Sequence, residues 1–345
     1  MVKLRYVSLG LTACAIVTLY SCVGDAPKAD NSSSSRGNSA SQSTDVASHS
    51  SHSAKQININ TAILSELDKF EAKLGIPALS NKIQASRPYG SPEDLVTKKV
   101  ITQEQFNQIK DMVTVKKVVL TGEAKHVDYM TKLGLMKGHL LVAQELLEKN
   151  QPKQAEPHIG HPVEEIYVDV EEQLNERKVK EFKTTLISLQ DLIKANPKAA
   201  KLQTDFTASM KAVDNAIATL PENLRTQPAF GLQVINGLLD AANAEYGAAI
   251  ANGKIAEIIE YQDSRGFVIY AQDIYKTISP QMAKAHPEVH KAIETSMNEL
   301  VQVWPSVIPP AAPAKSPDDV NKLVTTIAQK SQKLISAPST KAQRY

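Results

Sequence analysis

Cysteine is scarce in this chain: only Cys14 and Cys22 occur, both close to the N-terminus. No disulfide framework is therefore possible in the rest of the sequence. Aromatic residues make up 5% of the chain, and the formal net charge is only +2. This balance excludes a global electrostatic attraction to nucleic acid, so such binding would need a local basic patch. With 42% hydrophobic and 22% charged residues, the composition is typical of a soluble globular protein.

The N-terminus carries the parts of an export signal. Lys3 and Arg5 precede the apolar stretch YVSLGLTACAIVTLY, which is too short to indicate a membrane span. The stretch ends in LYSC and resembles a bacterial lipoprotein signal, in which the last cysteine, here Cys22, becomes lipidated. An ordinary secreted protein cleaved nearby and an uncleaved anchor are the alternatives. Each interpretation places the folded part outside the cytoplasm, and the first predicts a lipid anchor in the membrane, with the protein on the periplasmic face or at the cell surface.

Large apolar side chains are almost absent from residues 23–55, where serine is abundant. Such a segment cannot bury enough surface to offset the entropy of ordering. The sequence therefore predicts a signal peptide over residues 1–22, followed by a disordered tether over residues 23–55.

Residues 56–117 predict a small module of short helices. Thr102 and Gln105 form a capping box ahead of an apolar run, and SPEDL supplies another helix start. The segments ININTA, ELDKF, LGIPALSNKI, RPYGSPEDL and VITQEQF within residues 56–114 resemble the helix-hairpin-helix module of ComEA-type DNA receptors. They are also similar to a small extrinsic subunit of photosystem II that shares this fold.

The resemblance implies duplex DNA binding through glycine-hydrophobic-glycine turns, whose backbone amides approach a phosphate closely. This chain departs from that pattern, because the first turn reads Gly75-Ile76-Pro77 and the second reads Val100-Ile101-Thr102. Two interpretations stay open: a DNA-binding module, or a fold that docks a protein partner. The candidate nucleic-acid-binding residues are Gly75, Lys82, Arg87, Lys98 and Lys99.

Residues 118–305 show helical periodicity almost throughout, with proline, asparagine and glycine at the helix boundaries. A proline-rich connector and a terminal amphipathic helix occupy residues 306–345, with Ser316 as the expected helix cap. The predicted fold is all-α: a small helix-hairpin-helix module followed by a larger antiparallel helical bundle.

Several histidines and carboxylates fall on apolar helix faces of the predicted bundle. A buried carboxylate is costly unless it is paired or bound to a cation, so a metal site is one interpretation. Imidazole with carboxylate suits iron, zinc or copper. The alternative is a structural polar network without a metal. The candidate ligands are His139, His158, His161, Glu164, Glu165, Glu245, Glu260 and Asp263.

The spacing of His161 and Glu164 is weakly similar to the His-x-x-Glu pattern of imelysin-like periplasmic helical proteins. The chain lacks a glycine-rich phosphate loop and a His-Glu-x-x-His motif, so no reaction is indicated. The sequence favours a lipid-anchored, extracytoplasmic binding or scaffold protein whose hairpin module docks a partner. A DNA-uptake receptor is the alternative, and a metal-dependent enzyme is the less favoured third class.

Overall fold

The structure is a computed structural model that describes residues 56–116 and 120–336. The predicted signal peptide with Cys22 and the predicted tether lie outside the described residues. The described helices are α1 (Leu64–Leu74), α2 (Leu79–Ala85), α3 (Asp94–Thr97), α4 (Gln103–Ile109), α5 (Gly122–Glu148), α6 (Pro152–Ala155), α7 (Pro157–His161), α8 (Tyr167–Glu176), α9 (Lys183–Ala195), α10 (Leu202–Ile217), α11 (Glu222–Arg225), α12 (Pro228–Ala249), α13 (Ile258–Ala285), α14 (Pro287–Val301) and α15 (Pro317–Ile335). The short strands are β1 (Ile57–Asn58), β2 (Val113–Thr114), β3 (Ile250–Ala251) and β4 (Lys254–Ile255), and the predicted all-α fold is confirmed.

Helices α1–α4 form the hairpin module, which β1 and β2 close as a parallel pair with Ile57 opposite Val113. Its small core includes Phe70, Ile83 and Phe106. The predicted capping box is present: Thr102 accepts a hydrogen bond from the Gln105 amide, and the Gln105 side chain accepts one from the Thr102 amide. The short apolar segments of residues 57–113 thus pack into one small core.

The bundle is organised around the long helices α5, α12 and α13, which pack against one another. The antiparallel strands β3 and β4 connect α12 to α13 through Asn252-Gly253, and both turn residues have positive φ, 53° and 71°. Asn-Gly is the preferred dipeptide for such a hairpin turn. Helix α15 packs against α12 and α14, and Ser316 caps it as predicted, because its side chain accepts a hydrogen bond from the Asp319 amide.

The hairpin module packs on the bundle through α1 and α12. Lys69 on α1 pairs with Asp240 on α12, and Ala72 approaches the backbone at Gly247 so closely that a Cβ there would lie 2.9 Å from the alanine Cβ. The first turn of α1 has no cap from its own sequence; instead the Leu64 amide donates to the Glu165 carboxylate at 3.0 Å. A side chain of the bundle, Glu165, thus caps the first helix of the hairpin module.

A π-helical turn, Pro162–Ile166, joins α7 to α8. Proline has no amide hydrogen, so it interrupts the regular helical hydrogen bonds, and the Tyr167 amide bonds to the Pro162 carbonyl five residues earlier. Such turns recur at functional sites. His158 and His161 lie just before this turn, and Glu164 and Glu165 lie within it. Among the described residues, no helix is long and apolar enough to span a membrane.

Candidate metal centre

Three helices bring two histidines and one aspartate together in the bundle interior. His139 lies on α5, His158 on α7 and Asp263 on α13, with exposed fractions of 1%, 0% and 2%. The Nδ1 atoms of both histidines lie 2.6 Å from the same Asp263 Oδ1. These three side chains form a group that could hold a metal ion.

The orientation of the His158 ring is fixed by Gln262. Gln262 Nε2 donates to Gln154 Oε1 at 2.8 Å and to the Val307 carbonyl at 3.1 Å, which leaves Oε1 to face His158 Nε2 at 2.9 Å. An amide oxygen only accepts, so His158 Nε2 carries a proton. His158 Nδ1 lies 2.6 Å from Asp263 Oδ1, a contact that is favourable only when a proton or a cation lies between the two atoms.

His139 presents a buried nitrogen without a hydrogen bond. Its Nδ1 atom lies 2.6 Å from Asp263 Oδ1, yet it forms no hydrogen bond within the described structure. Burial lowers the pKa of His139, outweighing the nearby Asp263 charge that raises it. The lowered pKa favours the neutral imidazole, which is the form of histidine that binds metals.

Asp263 favours its ionised form. Burial raises its pKa, but the positive charges that His139 and His158 carry when protonated, together with their hydrogen bonds to Asp263, outweigh burial and hold the pKa well below its usual value. The centre therefore offers one anionic oxygen and two imidazole nitrogens, which is the donor set of two-histidine, one-carboxylate sites.

Four more carboxyl groups with raised pKa values surround this centre. Burial is the main cause at Glu165, Glu245, Glu260 and Asp68, and it raises the pKa of Asp68 to about 8. Neighbouring carboxyl groups raise the pKa of Glu245 further, and none of the largest influences on the four pKa values comes from a lysine or arginine. Buried carboxylates without such partners favour a cation or a retained proton.

The candidate ligands from the sequence do not all lie in one place. His139, His158 and Asp263 meet directly, and His161 Nδ1 lies 3.4 Å from Asp263 Oδ2. The Glu164 side chain is exposed to solvent, facing away from the buried group. Arg265, which could have neutralised Asp263, instead pairs with Glu145 at 2.8 Å.

Two residues near this centre, Asp68 and Gln262, were not among the candidates predicted from the sequence. Asp68 belongs to the hairpin module and interacts with Glu245 of the bundle, a contact that depends on how the two regions pack. Gln262 was not predicted because glutamine is rarely a metal ligand. Its position next to Asp263 on an apolar helix is the only sequence feature that points to its contact with His158.

Two of the candidate nucleic-acid-binding residues of the hairpin module already form hydrogen bonds within the chain. Arg87 Nε donates to the Ile59 carbonyl at 2.7 Å, and Lys98 Nζ donates to the Ser86 carbonyl at 2.9 Å and lies 5.0 Å from the Tyr89 ring centre. Both side chains stabilise the module. Lys82 and Lys99 are exposed, and Gly75 ends α1 in the left-handed conformation, with φ 64°.

The amides of the first hairpin turn bind a carboxylate of the same chain. Glu71 Oε1 accepts from the Ala78 amide at 2.8 Å, and Glu71 Oε2 accepts from the Ser80 amide at 3.3 Å and the Ser80 hydroxyl at 3.1 Å. In DNA-binding hairpins the turn amides face a phosphate. Here the Ala78 and Ser80 amides, which follow the first turn, donate to the Glu71 carboxyl group instead.

The donor set at His139, His158 and Asp263 fits a transition-metal ion. In metal sites the second nitrogen of a ligating histidine usually donates to a neighbouring acceptor, as His158 does to Gln262. Two imidazoles with one carboxylate occur at non-haem iron(II) sites, and the related two-histidine, one-glutamate set binds zinc. Bonds of roughly 2.0–2.2 Å require a separation of roughly 3 Å between ligand atoms, so the group has to widen by a few tenths of an ångström to admit the ion.

Comparison with known families identifies two regions. Residues 52–114 match the helix-hairpin-helix motif, and residues 221–338 match the iron permease-associated 4-helix bundle domain. No curated protein and no solved structure matches the chain. The bundle match contains Asp263, Glu245 and Glu260, whereas the two histidines of the buried group precede it. The chain is thus similar to a helix-hairpin-helix motif over its first described helices and to an iron permease-associated 4-helix bundle over its last ones.

Proposed function

We propose that this protein binds a transition-metal ion through His139, His158 and Asp263, as an extracytoplasmic binding or scaffold protein. The observation that carries the proposal is the ring orientation of His158, whose Nε2 atom donates to Gln262 and whose Nδ1 atom lies 2.6 Å from Asp263 Oδ1. The buried Nδ1 atom of His139 lies 2.6 Å from the same oxygen and is the second nitrogen ligand. Nothing in the site supplies a nucleophile with an adjacent base, so binding is favoured over catalysis.

Iron(II) is the first candidate ion. The two-histidine, one-carboxylate donor set suits it, and the similarity of residues 221–338 to an iron permease-associated domain points in the same direction. Zinc and copper use the same donors and are the competitors to be tested beside it.

We expect Asp263→Asn to abolish metal binding. The substitution removes the anionic oxygen that faces both histidines, so wild-type protein should gain bound iron(II) under anaerobic conditions and the variant should not. An ion at about 100 times its dissociation constant stabilises the native state by about 2.7 kcal/mol, or roughly 5–10 °C in melting temperature. Elemental analysis and thermal melts of the full chain measure both effects.

The matched control is His290→Ala. His290 is a half-buried bundle histidine that contacts the Tyr275 hydroxyl at 2.8 Å, away from the proposed site. This variant should keep the metal content and the metal-dependent melting shift of the wild type. Equal metal content in Asp263→Asn and wild type would refute the site, and a metal-free wild type would refute the function.

For the hairpin module we propose protein docking rather than recognition of duplex DNA. Glu71 accepts a hydrogen bond from the Ala78 amide after the first turn, and Thr102 and Gln105 cap α4 at the second turn. Helix α1 already packs on the bundle of its own chain. Both DNA and protein partners are compatible with a helix-hairpin-helix motif, so the two are separated by measurement.

Duplex DNA should bind only with the dissociation constants of roughly 10⁻⁴–10⁻⁶ M that non-specific association gives at physiological salt. Fluorescence anisotropy over a salt series measures this on the full chain. Lys99→Glu should then behave like Lys330→Glu, a control at an exposed lysine on α15. Nanomolar affinity that is lost in Lys99→Glu alone would instead identify a DNA receptor.

We further propose that lipid on Cys22 holds the protein at a membrane surface. The support is the signal-like N-terminal sequence, which lies outside the described residues. The intact mass of the mature chain tests it, because an unmodified N-terminus or cleavage at another residue would exclude the lipid anchor.

A further inference from the structure

The hairpin module is held by a helix that also carries part of the metal centre. The Leu64 amide at the start of α1 donates to Glu165 Oε2 at 3.0 Å, and α1 has no side-chain cap from its own sequence. Glu165 lies in the π-helical turn, seven residues after the proposed ligand His158. One carboxylate thus fixes the module to the element that positions a metal ligand.

The backbone from α7 through the π-helical turn into α8 is one continuous helix. His161, Pro162, Ile166 and Tyr167 all have right-handed helical angles, with φ between −51° and −68°. Rigid helices are among the elements that carry coupling between distant sites. A displacement of Glu165 is therefore transmitted to His158, which lies roughly 10 Å away along the helix axis.

Helix α1 also contacts the helix that packs on the one carrying Asp263. Lys69 on α1 pairs with Asp240 on α12, and α12 packs along α13. Ile63, directly before α1, is 4% exposed and belongs to the core of the bundle rather than to that of the module. The position of α1 is thus linked to two of the three helices that supply the proposed ligands.

We infer that docking of the hairpin module on the bundle is coupled to metal binding at His139, His158 and Asp263, with Glu165 as the positioning residue that links them. The inference rests on the proposed function, since it describes the regulation of that site. Two events that stabilise the same arrangement of shared elements strengthen each other by the same factor. A protein partner that draws α1 away from the bundle would therefore release the ion.

The first test is the dissociation constant of iron(II) for the full chain under anaerobic conditions. Glu165→Ala removes the acceptor of the Leu64 amide, and we expect the constant to rise about 5-fold or more, the lower end of typical couplings between sites. Glu165→Gln keeps an acceptor oxygen without the charge, so it should recover most of the lost affinity. Glu164→Ala, at the exposed neighbouring glutamate, is the matched control and should bind iron(II) as wild type does.

Equal losses in Glu165→Ala and Glu165→Gln would overturn the inference, because the charge of Glu165 rather than its contact with α1 would then act on the ion. Circular dichroism of each variant checks that the fold is retained.

The second test disturbs docking away from the metal centre. Lys69→Glu sets a second carboxylate against Asp240, and because surface ion pairs are weak the dissociation constant of iron(II) should rise only roughly 2–5-fold. The added negative charge by itself would strengthen cation binding, so weaker binding reports the displacement of α1. Adding Asp240→Lys restores an opposite-charge pair and should restore the affinity. Unchanged or tighter binding in Lys69→Glu would contradict the coupling.

The reverse effect is read from hydrogen exchange of the full chain, followed by mass spectrometry. Iron(II) should slow exchange in the peptide that contains the Leu64 amide in wild type, but not in Asp263→Asn. The Gln105 amide, which bonds to Thr102 within the module, is the control and should exchange at the same rate with and without iron(II).

The outcomes separate this inference from the proposed function. A wild type that binds iron(II) without slower exchange at Leu64, or with equal slowing at Leu64 and Gln105, would overturn the coupling and leave the metal site intact. A wild type that binds no iron(II) would overturn the proposed function itself.

Discussion

Gly266→Ala is expected to lower the free energy of unfolding by about 3 kcal/mol or more. Helices α5 and α13 cross with their backbones in contact, and a Cβ on Gly266 would overlap the Gly138 carbonyl, with the carbonyl carbon at 2.8 Å and Val142 Cγ2 also at 2.8 Å. A backbone carbonyl cannot rotate away as a side chain can, so the two helices would have to separate within a close-packed core.

The same substitution should weaken metal binding. His139 follows Gly138 directly, and Asp263 precedes Gly266 by three residues, so separating the helices at this crossing moves a histidine away from the carboxylate. We expect a substoichiometric iron(II) content in Gly266→Ala at concentrations that saturate wild type. Denaturant unfolding gives the stability change, and elemental analysis gives the metal content.

Gly160→Ala is the control for adding one methyl group to a helix near the site. Its new Cβ would meet the end of the Gln190 side chain at 2.8 Å, and that flexible side chain can move. Since alanine is the better helix former, we expect a change within about 1 kcal/mol of wild type. Equal stability and equal metal content in both alanine variants would show that contact between α5 and α13 does not position the site.

The elements with strong local signals were predictable from the sequence. The Thr102 capping box and the Ser316 cap are local hydrogen-bond patterns, and the structure contains both. The all-α fold followed from the 3.6-residue apolar period, which does not depend on how the helices pack. Apolar periodicity also indicated that His139, Glu245 and Asp263 face inward, and the structure buries all three.

The composition of the site depended on long-range packing and was harder to predict. Glu164 and Glu165 are adjacent in sequence, yet Glu164 is exposed while Glu165 caps α1, because the π-helical turn and the docking of the module determine which one faces inward. The contact of Asp68 with the bundle has no local signal. The contact between Gly138 and Gly266 is likewise visible only once the two helices are placed together.

Asp68→Asn is expected to stabilise the metal-free protein at pH 8 and to have much less effect at pH 4. Burial raises the pKa of Asp68 to about 8 from the ordinary 3.8, an increase that the Ser80 hydroxyl opposes and that Glu71 reinforces. The amide oxygen of the substituted side chain would keep an acceptor for the Ser80 hydroxyl while removing the charge. The variant therefore isolates the cost of ionising this buried carboxyl.

The sign follows from the protons bound by each state. Below pH 4 Asp68 is protonated in the folded and the unfolded chain, so it contributes no pH dependence. As the pH rises from about 4 to about 8, the unfolded chain has released the proton while the folded chain retains it, and stability falls. Each pKa unit corresponds to about 1.4 kcal/mol, so the benefit of Asp68→Asn should grow to several kcal/mol by pH 8.

Denaturant unfolding of wild type and Asp68→Asn at several pH values, with a chelator present, measures this difference. Asp94→Asn is the control with the opposite sign: hydrogen bonds from the Gly90 and Ser91 amides lower the pKa of Asp94, so its carboxylate stabilises the fold above pH 4 and the variant should lose that stability. Glu245 retains its own raised pKa, so Asp68→Asn should reduce the pH dependence without abolishing it. If Asp68→Asn changed stability equally at pH 4 and pH 8, Asp68 would not be the group that retains a proton between the module and the bundle.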